Sequence, residues 1–101
     1  MPTPEITDKL AALTERFKQR LRDTQEYISQ WQNAEHLNEL IEISHKLAGT
    51  AGTYGFHELS PRMKELELHL LEISEQKITD EHALELYKKA TTLLSEALQT
   101  G

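Results

Sequence analysis

The chain has no cysteine. That excludes a disulfide framework, a thiolate nucleophile and a cysteine-ligated zinc site, and it suits a reducing, cytoplasmic setting. Breakers are scarce. There are three prolines, two of them at Pro2 and Pro4, and four glycines in 101 residues. No apolar run approaches the roughly 18 residues of a membrane span. Met1-Pro2-Thr3-Pro4-Glu5 shows neither the basic region nor the apolar run of a signal peptide. Basic residues are outnumbered, 11 against 17 acidic, for a net charge of −6. This argues against a nucleic acid or an anionic membrane as partner, because both are held by clustered Lys and Arg. There is no glycine-rich phosphate loop following a strand, no G-x-S-x-G and no acid pair at catalytic spacing.

What is present favours helix. Charged residues make up 28% and hydrophobic residues 38%, ordinary for a globular domain and too apolar for disorder. The length fits one domain over residues 1–101 with a single modest core. Leu, Glu, Lys, Gln and Ala dominate, all good helix formers.

Apolar periodicity divides the chain into four helices. Ile6, Leu10, Leu13, Phe17 and Leu21 recur at four, three, four and four residues, which marks one buried face. The pattern loosens through Tyr27, Ile28 and Trp31, so residues 4–32 read as helical. Thr3 or Pro4 opens the helix, and Glu5 and Asp8 suit its positive end. The polar stretch Arg22-Asp23-Thr24-Gln25 can break it near Leu21–Thr24 and set off a short extra N-terminal helix. Asn33 suits an N-cap for a second helix from about Ala34 to Tyr54. Its stripe is Leu37, Leu40, Ser44, Leu47, Ala51 and Tyr54, and Gly55 is its stop. Phe56 to Glu75 forms the third helix, with Ser60 as cap, Pro61 in the first turn and Leu59, Met63, Leu66, Leu70 and Ile73 as apolar face. Thr79 or Asp80 caps the last helix, striped by Ala83, Leu86, Ala90, Leu93, Leu94, Ala97 and Leu98, before Gln99-Thr100-Gly101 frays. Four amphipathic helices with short links predict an all-α, antiparallel up-down four-helix bundle.

One stretch does not look like plain bundle packing. On the second helix, the positions sharing a face with His45 are Glu42, Ala48, Gly49 and Gly52, while Leu40, Ile43, Leu47, Ala51 and Tyr54 lie opposite. An imidazole therefore stands among very small neighbours. Each interior glycine costs roughly 1 kcal/mol against alanine. Close approach of another molecule to His45 is a physical reason to keep them. An ordinary imidazole is largely neutral at neutral pH and presents one free lone pair; if Nδ1 donates its proton to an acceptor, Nε2 is free to attack.

His45-x-Leu47-x-Gly49-x-Ala51-x-x-x-Gly55 resembles the motif of histidine-containing phosphotransfer (HPt) domains. The run Gly49-Thr50-Ala51-Gly52-Thr53-Tyr54-Gly55-Phe56 is especially similar to that family. The resemblance implies a four-helix bundle whose histidine, His45, accepts a phosphoryl group from a receiver-domain aspartate or a histidine kinase and passes it to a receiver aspartate. It implies no catalytic activity of its own, no cofactor and no metal. The implied partners are a response-regulator receiver domain and a histidine kinase or hybrid kinase. Glu67, 22 residues on, takes the place where the family sets a Gln or Glu against the histidine's other nitrogen. The implied docking face includes Ile41, Ala48, Gly49, Gly52 and part of the following helix. One residue departs from the pattern: Ala48 stands where many members carry a lysine, which leaves Lys46 and Lys64 as candidates to steady the phosphate.

Two other readings fit a helical bundle. A docking module would bind a receiver or kinase without being phosphorylated. A carboxylate-bridged metal bundle would need two Glu-x-x-His pairs, and the chain has only Glu42-x-x-His45. His36, His57, His69 and His82 show no metal-ligand spacing.

Overall fold

The computed structural model describes residues 4–100, with side chains from Asp8 onward. Four α-helices form the molecule: α1, Pro4–Ser29; α2, Leu37–Thr50; α3, Leu59–Ile73; and α4, Asp80–Thr100. No strand occurs among the described residues. Short 3₁₀ turns lead into α2 at Ala34–His36 and out of it at Ala51–Tyr54. α2 packs chiefly on α3, and α1 on α4. The expected antiparallel four-helix bundle is therefore the fold.

Local chemistry sets the helix ends. The Asn33 side chain accepts a bond from the Glu35 amide at 2.9 Å, and the Asp80 carboxylate accepts one from the Ala34 amide at 3.0 Å. Those two bonds fix the α1–α2 link against the start of α4. Gly55 has φ +90°, the left-handed conformation that costs a glycine nothing, and it ends the second helical segment. Thr79 is the cap of α4, its hydroxyl accepting from the His82 amide at 3.0 Å.

The core follows the predicted stripes from Phe17 onward. Leu21, Ile28, Leu40, Met63, Leu66, Leu70 and Leu94 are fully buried, each worth about 1.5–3 kcal/mol of burial. At one end of the bundle Phe17 stacks on Tyr54 with ring centroids 4.6 Å apart and leans on Phe56 at 5.3 Å. At the other, Trp31 stacks on His36 at 4.8 Å and meets Tyr87 edge-on at 4.9 Å. Gln25 donates to the Thr91 carbonyl at 3.1 Å and to the Ser95 hydroxyl, which sets the register of α1 against α4.

Four expectations change. First, α1 is unbroken across Leu21–Thr24, with no separate N-terminal helix. Leu21 is buried, Thr24 bonds back to the Arg20 carbonyl, and Gln19 bonds Asp23, so this polar stretch stays helical. Second, Leu10 and Leu13 carry the stripe but are 58% and 43% exposed. Register explains it: residue 25 lies beside residues 91–95, so the first turns of α1 run past the end of α4. The molecule is 53 Å long, whereas the 21 residues of α4 span only about 32 Å. The side chain of Ile6 and the start at Thr3 lie outside the described residues. Third, Ser60 is the second residue of α3 and not its cap; its hydroxyl donates to the Ala48 carbonyl at 2.5 Å. Fourth, α4 continues through Gln99 and Thr100, with the Thr100 hydroxyl bonded to the Glu96 carbonyl at 3.2 Å.

Candidate functional site

His45 sits in the middle of α2, directly after the buried Ser44, and points outward with its side chain 69% exposed. Its Nδ1 lies 2.7 Å from Oε2 of Glu67 on α3. Glu67 is the one acidic residue in the core-facing set of α3, 6% exposed overall. Its other oxygen, Oε1, accepts from Lys64 Nζ at 3.1 Å. The three side chains form a line from imidazole to carboxylate to ammonium.

Opposing effects act on Glu67. Burial alone would push its carboxyl up; the hydrogen bonds from Lys64 and His45, and their charges, outweigh that and hold it below the usual carboxylate range. A carboxylate facing Nδ1 is an acceptor only, so Nδ1 carries the proton in this pair. In the neutral ring that leaves the Nε2 lone pair free on the exposed edge.

The glycines around His45 are open. A Cβ added at Gly49 or at Gly52 would meet nothing within 4 Å. Neither glycine is there to admit another helix of this chain. Gly49 is exposed and Gly52 half-buried, four and seven residues after His45 on its face. Ala48 and Ile41 are partly buried against the core. Lys46 is exposed and makes no ion pair among the described residues. The structure thus brings together His45, Glu67 and Lys64, keeps Gly49 and Gly52 clear, and leaves Lys46 to one side.

Two further side chains border the site, and the periodicity reading passed over them. Leu68 and Leu71 are 51% and 46% exposed on α3. Leu71 lies one turn beyond Glu67, and Ile41 one turn before His45 on the antiparallel α2, which sets them at the same level. The available signal was two leucines lying off the apolar stripe Leu59–Met63–Leu66–Leu70–Ile73.

A groove of about 590 Å³ lies at the start of α3 and the end of α4, lined by residues such as Phe56, Arg62, Leu93 and Glu96, and it excludes His45. Among the described residues no three His, Asp or Glu side chains gather as a metal ion would need. No helix is long and apolar enough to cross a membrane, among the described residues.

The fold is a helical bundle in which a buried carboxylate on one helix braces an outward histidine on its neighbour. The Hpt domain family model matches residues 12–100, and the chain belongs to that family. Its members serve phosphotransfer in two-component phosphorelays as carriers and not as catalysts. No curated protein and no solved structure matches the chain.

Proposed function

We propose that His45 is the phosphorylated residue and that the protein relays a phosphoryl group between a kinase or receiver domain and a receiver aspartate. The observation that carries this reading is the bond between His45 Nδ1 and Glu67, which engages Nδ1 and leaves Nε2 on the exposed side of the ring. Glu67 orients the ring and fixes its tautomer. Nε2 attacks phosphorus, and the partner's carboxylate leaves. Because the His45 side chain stands 69% exposed, the partner supplies the enclosing acidic pocket and its magnesium, and this chain needs no cofactor.

The docking face runs along α2 and α3. Gly49, Gly52 and Ala48 let the partner's loops close on His45, and Ile41, Leu68 and Leu71 offer apolar contact on the other side. Small and apolar residues around a central histidine suit a modest, transient complex. A phosphorylated receiver domain mixed with the protein should add one acid-labile phosphate, read by intact mass. His45→Gln should take up none while keeping its far-UV spectrum. Uptake by the variant would move the site elsewhere. Binding without uptake by the wild type would make the domain a docking module only.

A further inference from the structure

We propose that Lys64 is the counter-cation of the phosphoryl group, and that it leaves Glu67 to take up that role when His45 is phosphorylated. The proposal rests on the phosphocarrier reading. It follows from tracking charge through the transfer. In the form of the ring that can attack, which must be neutral, the buried Glu67 carboxylate is met by Lys64 on Oε1 and by the imidazole N–H on Oε2. Among the described residues Lys64 is then the only full positive charge bonded to it.

Attack by the Nε2 lone pair forms the N–P bond as the P–O bond of the acyl phosphate breaks. The partner's carboxylate departs with the electron pair, and the Nδ1 proton stays on the ring. The ring is now an imidazolium, and Glu67 has a cation on Oε2 at 2.7 Å. Its need for Lys64 drops. At the same moment nearly two negative charges arrive with the phosphoryl oxygens. The ammonium that Glu67 no longer requires is the one the phosphate lacks.

Geometry permits the exchange. Lys64 lies one turn before Glu67 on α3, at about the level of Ala48 on the antiparallel α2. Its side chain is 54% exposed, so it swings without leaving a packed position. Ala48 has no side chain long enough to compete for the space. Other cations are worse placed. Lys46 projects about 100° around α2 from His45, and Arg62 is turned to α4, where it pairs with Glu96 at 3.2 Å.

The test uses the whole chain and a phosphorylated receiver domain, with Lys64→Met, Lys64→Arg and the double variant Lys64→Met/Ala48→Lys. The equilibrium ratio of phosphorylated to free protein should fall about threefold to tenfold in Lys64→Met, the range of a partly exposed charge-assisted bond. Its dependence on salt should flatten. Lys64→Arg should stay near wild type, and a lysine restored from position 48 should recover the ratio, which a merely structural role at position 64 would not allow. A Lys64→Met protein that holds phosphate as well as wild type, or a Lys64→Arg protein as impaired as Lys64→Met, overturns the proposal alone. A wild type that takes up no phosphate overturns the carrier reading and the proposal with it.

Discussion

Replacing Gly49 by alanine should make the protein more stable and less competent in transfer at once. The position lies inside α2, one residue before its last, and is exposed. The backbone there is helical, so a side chain brings no strain of its own. An added Cβ meets nothing within 4 Å. The helix-propensity gain is then uncompensated, about 1 kcal/mol. For a domain of this size that raises the melting temperature by about 4–8 °C. The same methyl group projects on the His45 face, where the proposed partner closes. Gly49→Leu extends the obstruction while keeping a good helix former, and should slow transfer by at least about tenfold, equivalent to about 1.4 kcal/mol. Thermal melts by circular dichroism and time courses of phosphate uptake check both halves. Loss of stability in Gly49→Ala would show that the space over the glycine is filled. Stability gained by Gly49→Leu with transfer untouched would show that the partner does not approach there, and the access argument would fall.

Two other changes test the interior behind the site. Glu67→Gln keeps an acceptor facing His45 but removes the charge. Because the folded-state carboxyl is held low, its contribution is whole above the unfolded value of about 4.3 and is lost as pH falls through the folded value. The stability gap between wild type and Glu67→Gln, measured by urea unfolding from pH 7 to 3, should narrow only at the acid end; a gap that stays constant contradicts the pairing. Ser44→Ala removes a buried hydroxyl with no hydrogen-bond partner among the described residues. It should raise stability by about 1 kcal/mol, seen as a higher urea midpoint at unchanged slope, and a lower midpoint would mean that the hydroxyl is satisfied.

Helix number and order were legible because apolar spacing reports burial directly, and Leu40, Leu47, Leu66, Leu70 and Leu94 sit where their spacing put them. Spacing cannot report where a neighbouring helix ends. Leu10 and Leu13 continue the Phe17–Leu21 stripe without a change of period, yet α4 stops before reaching them. Helix ends were blurred for a related reason. Pro61 and Ser60 look like start signals, but Leu59 is buried and extends α3 backwards, while the Ser60 hydroxyl finds the Ala48 carbonyl. At the site, the small residues after His45 were visible in the sequence as an oddity of composition. The offset from His45 to Glu67 was visible too, and the two side chains meet. The link from Glu67 to Lys64 was not, since a lysine three residues before a glutamate is commonplace on exposed helices. Only the burial of Glu67 makes that pair significant.

The site concentrates features that plain bundle packing does not call for. Gly49 and Gly52 each cost about 1 kcal/mol of helix stability with no intramolecular contact to offset it. Glu67 takes a carboxylate into a face otherwise made of Leu, Met and Ile. Leu68 and Leu71 stand in water beside it. Elsewhere the helices carry their polar residues outward and their large apolar residues inward, apart from the overhang of α1 and single side chains such as Leu84. Scattered exposed leucines need no explanation. Two of them, two open glycines and a buried acid gathered around one exposed imidazole do. The open glycines cost helix stability in the free protein, and under the proposed relay reading they gain value when another molecule is seated over His45. Stabilising substitutions should therefore be easiest to find on this face, and they should be the ones that weaken transfer.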